Sequence, residues 1–162
     1  MINKKNSLKD KSGEKSNKSA AGQNETSLDG LLAEKKYKDS KTTIDDLKKI
    51  MKSFVAERDW QQYHDPKNLS MSIAIEAAEL MELFQWLTNE QVRKIKKDSP
   101  NYTDICDELS DIMLYCMSLA NVLGIDLSQA ITEKVVKNVK KYPKEKCRGR
   151  YEKPKKVIID NN

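Results

Sequence analysis

The chain has 162 residues, about one domain's worth, of which 34% are charged and 38% hydrophobic. That is polar for a globular protein, so part of the chain is expected to lie outside the folded core. Ten Lys and six acids fall in residues 1–41, against twenty Lys/Arg and nineteen acids in residues 42–162. The folded part is therefore nearly neutral despite a net charge of +5, which argues against a nucleic-acid-binding face.

Residues 1–41 are rich in Lys, Ser, Asn and Gly and form an expected disordered basic tail, with at most a transient helix over 28–37. They contain no apolar core of signal-peptide length. No later apolar run is long enough for a transmembrane helix. From Thr42 onward the periodicity is helical. A first helix is predicted over 44–58, with Thr43 as N-cap and Asp45 and Asp46 in its first turn. Residues 59–68 read as a loop, and a second helix is predicted over 69–87. Thr88 and Gln91 have capping-box spacing for a short helix. A third helix runs over 103–123 and stops at Gly124, and a fourth is capped by Asp126 and ended by Pro143. Residues 144–162 form a basic arm in which 157–160 can pair as a strand or dock.

These elements predict an all-α catalytic domain over 42–143, arranged as an antiparallel four-helix bundle. Leu109, Met113 and Met117 share the third helix with Ile112 and Leu119 but lie on other faces. This points to further burial in a homodimer or homotetramer. Cys106 and Cys116 are ten residues apart on one predicted helix. That separates them by ~15 Å, too far for a disulfide. Reduced thiols imply a cytoplasmic setting. With His64 the only histidine and no Cys-x-x-Cys, a zinc site is disfavoured.

The chemistry-bearing pattern is a pair of carboxylate pairs. On the second helix, Leu69, Ile73, Leu80 and Leu83 lie within about 60° of Glu76, and Glu79 sits at the stripe's edge. On the third, Ile105, Ile112, Tyr115 and Leu119 lie within about 60° of Glu108, and Asp111 takes the edge position. Acids on faces that should be buried need compensation. Lys134, Lys137 or Lys141 on the fourth helix can supply it through salt bridges. A divalent cation is the stronger solution, and all-oxygen ligands favour Mg²⁺, with Mn²⁺ as substitute. Trp60 and Trp86, the only tryptophans, stand outside clean core stripes, where they can stack a base or simply pack. Tyr115 can pack against a sugar or fill the core. Lys134, Asn138 and Lys141 share one helical face and can grip phosphates or form a solvated basic surface. Arg148 can close over a bound ligand or clasp a neighbouring subunit.

The segments EAAELMELFQW (76–86) and DELSDIMLY (107–115), with ERDWQQYHDPKNL (57–69) and NVKKYP (138–143), resemble the all-α MazG-like nucleoside triphosphate pyrophosphohydrolases. The likeness is closest to their dCTP pyrophosphatase branch. It implies hydrolysis of a nucleotide between the α- and β-phosphates with Mg²⁺, in a dimer or tetramer. It also implies that Glu76, Glu79, Glu108 and Asp111 bind the metal and that Trp60, His64, Trp86 and Tyr115 hold the nucleotide. One carboxylate must take a proton from the attacking water, and Glu79 at the stripe edge is preferred. The substrate that the resemblance implies is dCTP or a modified dCTP; Met51 stands where vertebrate-type members carry His, so a dUTP-preferring or broad enzyme is the alternative. The reading from another class is a non-catalytic helical interaction protein.

Overall fold

The computed structural model describes residues 27–33 and 37–150. Among these residues every regular element is helical: α1 (Leu28–Ala33), α2 (Ile44–Glu57), α3 (Pro66–Glu82), α4 (Asn89–Arg93), α5 (Tyr102–Leu123), α6 (Leu127–Lys141) and α7 (Lys144–Cys147), with a single 3₁₀ turn at Gln61–Tyr63. No single helix among the described residues is long and apolar enough to cross a membrane.

Local chemistry sets the boundaries. The Thr43 hydroxyl accepts from the Asp46 N–H while the Asp46 carboxylate accepts from the Thr43 N–H, a reciprocal cap that starts α2. Thr88 and Gln91 make the same exchange at α4. Asp65 accepts from the Asn68 N–H and Pro66 takes the first helical position, so α3 starts before the expected 69. It also stops earlier than the expected 87. Phe84, Gln85 and Leu87 donate three residues back rather than four, so 83–86 is a run of tight turns.

Both α2 and α5 end with one residue in left-handed backbone: Asp59 (φ 54°) and Gly124 (φ 64°). Trp60 N–H bonds back to Val55 O and Asp59 N–H to Ala56 O. Ile125 and Gly124 repeat the pattern on Ala120 and Asn121. Both are six-to-one closures that satisfy orphan carbonyls and turn the chain sharply.

The core is small. Met51 and Val55 of α2 bury against Met117 of α5, with Ile44, Phe54 and Leu127 packed around them. Met117, expected at a subunit interface, is thus an internal residue, while Leu109 and Met113 remain exposed as expected. The principal packings are α3 on α5, α2 on α5, and α1 on α2. The fourth long helix does not complete an antiparallel bundle within the chain. Instead α6 leaves α5 through a 103° bend, with Ile131, Val135, Val136 and Val139 exposed. The bend is tied to α2: Lys48 Nζ donates to Ile125 O at 2.8 Å, and Asn121 Nδ2 donates to Lys48 O at 2.8 Å.

Most of the expected tail 1–41, and 157–160 of the arm, lie outside the described residues. The described part of the tail is ordered. Leu28 is buried, its N–H donates to Glu57 Oε1 at 2.6 Å, and the Tyr37 hydroxyl donates to Leu31 O. A docked turn of helix thus replaces the transient one expected.

Candidate active site

The packing of α3 on α5 brings the two acidic pairs face to face. Carboxylate oxygens of Glu76, Glu79 and Glu108 lie within 4.8 Å of one another. Asp111 is near enough that its negative charge raises the pKa of both Glu76 and Glu108. For each of these two glutamates desolvation is the leading cause of the upward shift. The neighbouring acids follow: Glu79, Asp111 and Glu108 around Glu76, and Glu79, Asp111, Asp107 and Asp104 around Glu108. The expectation of burial needs correction, since Glu76, Glu108 and Asp111 are half-exposed and Glu79 is exposed. Partial desolvation together with the mutual repulsion of the clustered acids is what calls for a cation. An all-oxygen cluster without His or Cys suits a hard divalent ion that keeps water and ligand oxygens in its remaining positions.

An open cleft of about 610 Å³ lies between α2, the 3₁₀ turn and α5. Met51, Val55, Ala56 and Val122 form its apolar walls; Lys52, Gln61, His64, Ser118 and Asn121 add polar groups. Of its lining residues, His64 belongs to an aromatic group built around the turn after α2. The Arg58 guanidinium lies 3.8 Å from the Phe54 ring centroid, Phe54 meets Trp60 edge-on at 5.8 Å, and Trp60 stacks with His64 at 6.4 Å. His64 Nδ1 is 2.9 Å from Trp60 O. A carbonyl only accepts, so Nδ1 carries the proton there, and Nε2 of the neutral ring is an acceptor. Trp60 is 43% exposed.

Five other expected site residues lie outside the lining of this cleft. Trp86 belongs to the turn after α3, at 86% exposure, and not to the end of a helix running to 87. Tyr115 is half-buried on α5. Lys134 and Lys141 are exposed and Asn138 half-exposed on α6, beyond the bend and away from the acids of their own chain. Ser118, Asn121 and Gln61 line the cleft without having been singled out. The signal for Ser118 was its position two helical turns after Asp111, on the same side.

The profile of the MazG-like family matches residues 71–156, more than half of the chain and the whole of both acidic pairs. The chain belongs to the MazG-like family. Curated relatives named dCTP pyrophosphatase 1 include the Bos taurus protein, 37% identical over 68% of this chain and 65% of that protein, and the Homo sapiens protein, 36% identical over 62% and 59%. The chain thus spans somewhat less than two thirds of these MazG-like relatives' length. A solved structure of a pyrophosphatase from Archaeoglobus fulgidus matches with a TM-score of 0.58 and 33% identity, over 67% of this chain and 99% of that one.

Proposed function

We propose that this MazG-like chain is a nucleoside triphosphate pyrophosphohydrolase that converts dCTP or a modified dCTP to monophosphate and pyrophosphate. The observation that carries the proposal is the convergence of the Glu76, Glu79 and Glu108 carboxylates, with Asp111 in electrostatic reach of two of them. The names of the curated relatives support the substrate.

The four acids are suited to hold Mg²⁺, or Mn²⁺ in its place. When bound, the ion supplies charge neutralisation at the phosphates and a more acidic water. Glu79 is the most solvent-accessible of the clustered acids and is assigned the proton of the attacking water. The water oxygen bonds to the α-phosphorus, the bond from that phosphorus to the bridging oxygen breaks, and pyrophosphate leaves. Trp60 and His64 are assigned to the base, Tyr115 to the sugar, and Trp86 to closing over the nucleotide.

Lys134, Asn138 and Lys141 are assigned to the phosphates of a second copy. From Asp111 to the end of α5 is about 18 Å of helix rise, and the bend then carries Lys134 roughly 20 Å or more from its own acids, beyond a lysine's reach. The exposed valines and isoleucine of α6 support a homodimer or homotetramer in which this stripe meets a neighbour's acids. Three free cysteines support a reducing, cytoplasmic setting.

The deciding experiment is pyrophosphate release by the full chain with Mg²⁺ from dCTP, dUTP, dATP and ATP. Release from dCTP well above the rest is expected. Comparable release from all four would mean a broad enzyme, a reading that the apolar Met51 in the cleft favours. No release from any of them, or turnover untouched in Glu76→Gln and Asp111→Asn, would overturn the proposal.

A further inference from the structure

Ser118 lies seven residues beyond Asp111, hence on the same side of α5 and about 10 Å along it. It lines the cleft and is only 3% exposed, and its hydroxyl oxygen is buried without a hydrogen-bond partner. Hydroxyls within helices commonly satisfy themselves on the carbonyl four residues back. Ser110 does so on Cys106 and Thr132 on Ser128. Ser118 does not. A buried unsatisfied hydroxyl is destabilising, and an alanine would avoid it among Met51, Val55 and Met117 at no loss of bonding. Asn121, the other polar residue that α5 gives to the cleft, has its amide committed to Lys48 O.

We infer that Ser118 is a specificity-determining residue: its hydroxyl hydrogen-bonds the edge of a base seated in the cleft, beside the Nε2 acceptor of His64. The inference rests on the proposal that the substrate is a nucleoside triphosphate and names the group that reads its base. His64 Nε2 offers a lone pair, and a hydroxyl can turn to donate. A cytosine edge has an amino donor next to a ring-nitrogen acceptor and matches that pair. A uracil edge sets a carbonyl lone pair against Nε2 and matches it poorly. The Ser118 hydroxyl and His64 Nε2, both on residues that line the cleft, thus favour an amino-bearing pyrimidine.

The test compares wild type with Ser118→Ala on dCTP, dUTP and a base-less deoxyribose triphosphate, with kcat and KM determined separately. Loss of one neutral hydrogen bond predicts a KM for dCTP raised about three- to tenfold, with kcat affected far less. The ratio of dCTP to dUTP efficiency falls, and the base-less triphosphate is unaffected. The melting temperature of the variant is unchanged or higher, because an unsatisfied group has been removed. A dCTP KM equal to wild type overturns the assignment of Ser118 while leaving the enzyme reading intact. A lowered melting temperature with all three ligands weakened alike means a packing role and overturns it too. Wild-type binding of the base-less triphosphate as tight as dCTP overturns the base cleft itself. No wild-type turnover overturns the enzyme reading.

Discussion

At the scale of single residues, the acidic cluster sets metal binding against stability. The pKa values of Glu76 and Glu108 lie above the ordinary carboxylate value of 4.5. In the window between that value and the raised one the folded state holds more protons than the unfolded. Their contribution to stability is therefore fully present below 4.5 and is lost as pH rises through the raised values. Chelator-treated protein should gain melting temperature as pH falls from 7 towards 4.5, relative to a Glu76→Gln variant, whose profile should be flatter. At pH 7 that variant should melt higher than wild type without metal and respond less to Mg²⁺. Wild type should gain about 2.7 kcal/mol at a Mg²⁺ concentration a hundred times the dissociation constant, a gain that fades on acidification. Calorimetry across pH, with and without the ion, checks all three outcomes. The acids were legible in the sequence because an i,i+3 spacing on an apolar stripe is rare without a purpose. Their exposure was not legible, because a helical wheel shows which residues share a face and not how much of it the neighbours cover. Ser118 stayed hidden for a related reason: one serine among apolar residues is unremarkable until its hydroxyl is found without a partner.

At the scale of elements, caps and closures determine where each helix starts and stops. Thr43→Ala removes one side of a reciprocal cap and should cost about 1 kcal/mol in urea unfolding, with an unchanged denaturant slope. The two left-handed positions make opposite predictions. A Cβ at Gly124 meets nothing within 4 Å, so Gly124→Ala is penalised by backbone strain alone, about 1 kcal/mol. Asp59→Gly relieves the same strain and should stabilise by roughly 0.5 kcal/mol. Gly124, Thr43, Thr88 and Asp126 were all legible as caps, since their side chains or lack of one act locally. The start of α3 was misread because Asp65 and Pro66 were taken as loop, although a capping carboxylate before a proline marks a helix entrance. The tight turns of 83–86 carried no Gly or Pro to announce them.

At the scale of the molecule, periodicity gave the helices but not the way the last of them returns. The pattern of α6 is amphipathic in either arrangement, and only the tertiary path decides whether its apolar side meets its own chain or another. Val135→Asp with Val139→Asp should leave the α2, α3 and α5 packing intact. If α6 joins subunits, this double variant should reduce the sedimenting mass to that of one chain, with helicity by circular dichroism largely kept. Retention of the wild-type mass would place the interface elsewhere.

The connection between α5 and α6 has a mechanical side. Fifteen residues of α6 extend about 22 Å from it, so a 10° rotation there swings the far end, where Lys141 sits, by about 4 Å. Two hydrogen bonds, from Lys48 to Ile125 and from Asn121 to Lys48, and one glycine hold the pivot of that lever. The aim of a distant basic tip is thus governed by a joint set apart from the acidic cluster, and small lesions there should blunt activity over a long range while leaving every carboxylate in place.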